Sequence, residues 1–337
     1  MKKLINNPLE VVEDTIAGVL KAYPQHFRLA KDNPRALVLR DAPIKDKVSI
    51  VTGGGSGHLP VFLGYVGPGL ADGVAIGNVF SSPSSDAVYA ATREVNGGNG
   101  VLYLFGNYAG DSMSFDMARE LAELDGIPVE IAKVCDDVAS APPEEAHRRR
   151  GVAGLFFAYK LVGAKAAQGA CLKEVKATAD RVISRTRSMG VALSPCTVPA
   201  AGKPTFSLGE DEMEIGMGIH GEPGVERSKM KCAGETAEIM VERILSDLPF
   251  ARIDEVAVLV NGLGATPPEE LYIIYSRVHD LLSSRGISIY RSFIGEYATS
   301  MEMAGCSVSL LQLDEELKAL LAAPAFSPFL LQWGSWK

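Results

Sequence analysis

The chain has 337 residues, 47% of them hydrophobic and 22% charged, which is the make-up of a globular protein with a full core and a length that favours two domains. A formal net charge of −8 argues against a nucleic-acid or anionic-membrane surface, and no apolar run approaches the length of a membrane span. The N-terminus lacks the apolar stretch of a signal peptide, and the cysteines (Cys135, Cys171, Cys196, Cys232 and Cys306) are odd in number with no Cys-x-x-Cys, so reduced thiols in a cytoplasmic protein are expected.

Residues 8–23 carry Val11, Val12, Ile16, Val19 and Leu20 at helical spacing, and Pro24 ends that helix. After a polar connection at 40–46, a strand-like run at 47–52 feeds into Gly53-Gly54-Gly55-Ser56-Gly57-His58. Glycines let such a loop fold tightly and turn its backbone N–H groups toward a ligand, although a glycine-rich turn with a capping histidine reads equally well. A short strand at 73–76 runs into a second small-residue loop, 77–85, and then a helix at 86–95. A strand at 101–105 breaks at Gly106-Asn107-Tyr108-Ala109-Gly110-Asp111, with a helix to 124 and a strand at 128–134. This rhythm is that of an α/β domain with much parallel sheet, which would gather the three loops at the carboxyl ends of the strands, where ligands bind.

Helices are expected at 151–167 and 172–189, the first apolar all round and the second amphipathic. Met213, Ile215, Met217 and Ile219 alternate with Glu214, Gly216, Gly218 and His220, the period of a strand that places His220 on the glycine face. Helices at 236–248, 269–284 and 315–322 and strands at 255–260, 287–293 and 307–313 complete the second half, and a tail at 323–337 with both tryptophans would cover an apolar patch or an interface. The expected fold is therefore α/β in two domains, 1–190 and 191–337, each with a largely parallel or mixed central sheet flanked by helices.

No Walker A pattern, dinucleotide fingerprint, esterase elbow or His metal spacing is present. What remains is a pair of histidines in glycine-lined segments, His58 and His220, with Asp111 on a third loop. Neutral imidazole can act as nucleophile or base near pH 7, and Asp111 serves equally well as a helix N-cap.

The loop ending in His58 followed by Gly64-Tyr65-Val66-Gly67, Asn107-Tyr108-Ala109-Gly110-Asp111, Arg149-Arg150-Gly151-Val152, the run 196–204, Gly218-Ile219-His220-Gly221-Glu222-Pro223-Gly224, Asn261-Gly262-Leu263-Gly264-Ala265-Thr266 and Thr299-Ser300-Met301-Glu302-Met303 lie in order along nearly the whole chain. Together they resemble the substrate-binding subunit of dihydroxyacetone kinases, the K subunit or Dak1-type domain. The resemblance implies that the ring nitrogen of His220 adds to the ketone carbon of dihydroxyacetone to give a hemiaminal. It implies acid/base roles for His58 and Asp111, and substrate contacts from Gly55, Ser56, Gly57, His58, Gly106 and Asp111.

Two departures stand out: Gly106 replaces a lysine common in the family, and Leu59 replaces a glutamate. The first suggests room for a larger ketose such as erythrulose. The resemblance further implies that this chain binds no cofactor of its own. ATP, or ADP recharged by a phosphotransferase-system protein, would sit with Mg on a separate nucleotide-binding L-type subunit, and the chain would form a homodimer. A non-catalytic dihydroxyacetone-binding co-regulator of a transcription factor is the alternative.

Overall fold

The computed structural model describes residues 2–247 and 255–332. The expectation for the two tryptophans, Trp333 and Trp336, lies outside the described residues.

The chain begins with α1 (Val11–Ala22), whose Val12, Ile16 and Val19 are its buried face. It continues through β1 (Phe27–Ala30), β2 (Asn33–Leu39), β3 (Ser49–Ser56), β4 (Gly73–Val79), α2 (Ser85–Val95), β5 (Val101–Gly106), α3 (Ala109–Leu124) and β6 (Val129–Val134). These strands form one sheet in the order β1-β2-β4-β3-β5-β6. The four from β4 to β6 are parallel, whereas β1 and β2 join as an antiparallel hairpin at the edge. The strand-to-loop-to-helix rhythm thus builds the parallel part. The hairpin has no such rhythm and is not legible by it.

Two helices follow, α4 (Leu155–Ala167) and α5 (Leu172–Arg185), then β7 (Thr186–Ser194), a small ribbon of β8 (Thr197–Val198) and β9 (Lys203–Pro204), β10 (Glu212–Ile215), β11 (Glu226–Lys229), α6 (Ala233–Asp247), β12 (Glu255–Gly262), α7 (Pro268–Ser284), β13 (Ser288–Gly295), β14 (Ala304–Gln312), α8 (Glu315–Ala322), β15 (Ala325–Ser327) and β16 (Leu330–Gln332). The second sheet runs β11-β10-β7-β14-β12-β13 and is antiparallel except at β12–β13.

The helix expected to reach residue 189 ends at Arg185. Residues Thr186–Met189 instead pair with Leu311–Val308 of β14, a partner supplied by the distant chain that outweighs local propensity. For the same reason residues 190 and 191, the expected domain boundary, both fall inside β7, a strand of the second sheet. The strand expected to run through residue 219 stops at Ile215, because Gly216 turns the backbone at φ +84°. Met213, Ile215, Met217 and Ile219 are all buried nonetheless.

Burial of α4 on every side follows from its near-continuous apolar sequence. The core around it takes Ile50, Val74 and Leu102 from the first sheet and Ala257, Leu259 and Leu311 from the second, so the two sheets share one core. A polar joint reinforces this. Arg149, fully buried, donates from both terminal nitrogens to Asp247 at the end of α6 (2.7 and 2.6 Å), and Arg187 of β7 donates to the same carboxylate at 2.6 Å. Removing one member of a buried pair strands the other's charge. Arg149→Ala is therefore expected to lower the unfolding free energy by about 3–5 kcal/mol, read as a fall in the urea midpoint, and a loss below about 1 kcal/mol would show the joint to be dispensable.

Candidate active site

Loops following β3, β4 and β5 lie side by side at the carboxyl ends of these parallel strands. Ser56 Oγ donates to the Gly77 carbonyl (2.9 Å), and the Phe80 N–H donates to the Ser56 carbonyl (3.0 Å). The glycines are there for space more than for turning. β3 runs on through Gly53–Gly55 to Ser56, so the loop expected at 53–58 is half strand. A Cβ on Gly54 would stand 2.3 Å from the Phe62 ring, and one on Gly55 would stand 2.7 Å from the Ser81 nitrogen. Only Gly57, at φ +101°, needs glycine's backbone freedom.

His58 is 1% exposed, and its position is set from the other half of the chain. Asn261, buried at the end of β12, accepts from the N–H groups of Tyr297 and Ala298 and donates to the Ala298 carbonyl, all at 2.8 Å. The segment so held lies along residues 57–59: Met301 N–H donates to the Gly57 carbonyl (2.8 Å), and Thr299 Oγ1 to that of Leu59 (2.9 Å). The Thr299 carbonyl lies 2.8 Å from His58 Nδ1. A carbonyl only accepts, so Nδ1 carries the proton and the lone pair is on Nε2, which is buried with no partner. Burial, then neighbouring His220, pushes the imidazole down to about 3, offset in part by the Thr299 bond. His58 is thus a neutral, weakly basic acceptor.

His220 lies not on a strand but in a tight turn between Gly216 and Gly221, both at positive φ. Its Nδ1 is 2.8 Å from Glu222 Oε1, and its N–H donates to Oε2 at 2.9 Å. Glu222 is half-buried, and burial alone would raise its pKa, but the hydrogen bond and charge of His220, with its own backbone and Arg150, outweigh that and hold it down to about 2. An ionised carboxylate fixes the proton on Nδ1 and frees Nε2 as the nucleophilic nitrogen. Behind it Arg150 reaches Glu222 at 3.9 Å while gripping buried Asp137 at 2.8 Å.

The two imidazoles face each other edge-on with ring centres 4.8 Å apart. Asp111 does not cap α3: the N-cap is Tyr108, and Asp111 lies buried in the first turn. Its Oδ1 has no partner, and burial raises the carboxyl to about 6 against the pull of Ser82 and His220. His58, Asp111 and His220 therefore converge, and the orphaned atoms on His58 and Asp111 are what a small polar ligand would satisfy.

Gly106 ends β5, buried, where a side chain would begin 3.2 Å from the Tyr108 ring and 3.3 Å from the Gly151 carbonyl; the space beside it is already partly filled. A mainly apolar cavity of about 250 Å³ lies between α1 and β3–β4; His58, Gly55–Gly57 and Thr299 line it, but Asp111 and His220 do not. Among the described residues, no group of three or more His, Cys, Asp or Glu side chains is placed to hold a metal, and no helix is long and apolar enough to cross a membrane.

Sequence reasoning missed Glu222, Asn261, Thr299, Phe80 and Arg150 as site-builders. All but Phe80 sit inside motifs that stood out; the partners of Asn261, Thr299 and Arg150 come from other segments, whereas Glu222 lies two residues from His220 and only the turn of the backbone brings the two side chains together.

An imidazole with a free Nε2 beside a neutral acceptor and a buried carboxyl, set in an α/β fold, is chemistry that can bind and attack a small polar electrophile. The Dak1 domain family matches residues 17–329, and the chain belongs to that family. It is 43% identical over 329 residues to the dihydroxyacetone-binding subunit of a PTS-dependent dihydroxyacetone kinase of Listeria innocua, covering 98% of this chain and 99% of that one. It is 42% identical to a D-erythrulose kinase of Mycolicibacterium smegmatis, covering 97% of this chain but 56% of that longer one. Among solved structures, the dihydroxyacetone kinase of C. freundii superposes with a TM-score of 0.89 at 32% identity, covering 98% of this chain and 60% of that one. A dihydroxyacetone kinase operon co-activator gives 0.86, also at 32%, covering 94% and 97%.

The raised carboxyl gives a signed prediction. Asp111 ionises near 6 when folded and near 3.8 when unfolded, so its contribution favours the fold below about pH 4 and is lost as pH rises through 6. Asp111→Asn should therefore stabilise the protein by about 2–3 kcal/mol at pH 8 and not at pH 4. Urea unfolding of both proteins at each pH checks this, and an equal gain at both would assign the effect to packing.

Proposed function

We propose that this chain is the ketose-binding subunit of a dihydroxyacetone-type kinase and captures its substrate covalently on His220. The observation that carries the reading is the freed Nε2 of His220 standing 4.8 Å, ring centre to ring centre, from a buried His58. The names of its relatives, dihydroxyacetone kinase and erythrulose kinase, support a ketose of three or four carbons as the substrate class.

In this reading the Nε2 lone pair of His220 forms a bond to the ketone carbon while the carbonyl π pair moves to oxygen. That oxygen takes a proton from Asp111 in its acid form, and the positive charge now on the ring is balanced by ionised Glu222. The product is a hemiaminal. Asp111, left ionised, then accepts the proton of the hydroxyl that attacks phosphorus. His58, too weak a base to take that proton outright, orients the hydroxyl through Nε2. Anchoring the ketose at one carbon fixes its remaining hydroxyl, and positioning is the main protein contribution to phosphoryl transfer. A polyol such as glycerol offers no carbonyl to capture. The backbone of Gly55, Ser56 and Gly57 and the floor at Gly106 bound the substrate. A nucleotide with Mg, placed on a separate L-type subunit, supplies the phosphoryl group, and the chain works as a homodimer.

A ketose-sensing co-regulator is the second reading, favoured by the near-complete overlap with the operon co-activator structure. Addition of a nucleotide-bearing subunit and its phosphoryl donor separates the two: phosphorylated ketose supports the kinase, whereas capture without phosphorylation, with a DNA-binding protein co-purifying, supports the sensor.

Native intact-protein mass spectrometry after incubation with dihydroxyacetone or erythrulose should show an adduct of one ketose that His220→Ala abolishes. Glu222→Gln should slow its formation on the order of 100-fold, because the ring loses its fixed tautomer and its counter-charge. An adduct that survives His220→Ala would sink the assignment.

A further inference from the structure

Resting on that reading, we propose that Phe80 is a positioning residue that sets the upper length of the ketose captured on His220. Its ring lies flat on His58, centres 4.8 Å apart at 13°, and meets His220 edge-on at 5.3 Å and 72°. Tyr108 also meets His220 edge-on, at 5.0 Å and 80°. Two aromatic rings therefore pack against His220, and in this proposal a group joined to Nε2 grows beside them. Tyr108 is tied down, its hydroxyl donating to the Gly151 carbonyl at 3.1 Å. Phe80 is half-buried between exposed Asn78 and Ser81, so it forms the solvent-side wall, while His58 beneath it is sealed.

The backbone gives a second, independent observation. Phe80 sits at φ +57°, Phe62 at +67° and Met301 at +52°, conformations that bulky side chains avoid. All three pack on the same glycines: Phe62 on Gly54, Phe80 on Gly55 and Gly57, Met301 on Gly57. Strained backbone persists where the surroundings over-determine it, and it clusters at functional sites. Here the strain directs the Phe80 ring inward across His58 instead of outward to solvent. A wall held this firmly excludes an extra hydroxymethyl group sterically, a discrimination of about 10- to 200-fold per carbon.

The test uses native mass spectrometry of the wild type, Phe80→Ala, Phe80→Leu and Phe80→Tyr with ketoses of three, four and five carbons: dihydroxyacetone, erythrulose and ribulose. The wild type should capture the first two and leave ribulose about tenfold behind or worse. Phe80→Ala should raise ribulose capture relative to dihydroxyacetone by about tenfold, Phe80→Leu by less, and Phe80→Tyr should keep the wild-type order. Wild-type ratios in all variants would overturn the proposal, as would loss of every adduct in Ala and Leu variants that melt like the wild type. A wild type that captures no ketose would overturn the parent reading, and this one with it.

Discussion

The site depends on one joint: the hydrogen bond from His58 Nδ1 to the Thr299 carbonyl, supported by Asn261. It ties a glycine-lined strand end of the first sheet to a turn ordered by β12 of the second. The same contact chooses the tautomer of His58 and excludes water from it. Without it His58 would have no fixed tautomer beside a His220 that Glu222 orients.

Environment then divides the labour among residues of ordinary chemistry. His58 is pushed down by burial, Asp111 is pushed up by burial, and Glu222 is held ionised by His220 despite burial. Three titratable groups in one pocket with protonation driven apart is how a protein sets acid, base and nucleophile at one pH. Arg150 links this arrangement to the scaffold by bridging Asp137 and Glu222, so the His220 turn is braced from the first half of the chain.

Much of the first sheet was legible because β3, β4 and β5 each end in a small-residue loop, and His58, Asp111 and His220 stood out within glycine-rich motifs. The β1–β2 hairpin was not, since it lacks that rhythm. The switch from helix to strand at Thr186 was hidden because its cause, pairing with β14, lies more than a hundred residues away. Gly53–Gly55 looked like loop formers and proved to be strand residues. A sequence displays the absence of a side chain but not the Phe62 ring or the Ser81 backbone that requires it.

By itself the sequence determined the α/β class and the family and singled out His58, Asp111 and His220 as candidates, because apolar periodicity and ordered motifs are local properties of the chain. Tertiary structure alone decided that Asp111 is a buried acid and not a cap, that Glu222 orients His220, that Phe80 covers His58, and which nitrogen of each imidazole is free. Protonation and tautomer depend on burial and on side-chain placement, by a remote segment for His58 and by a local turn for His220, and the burial exists only once the two sheets have closed on a common core.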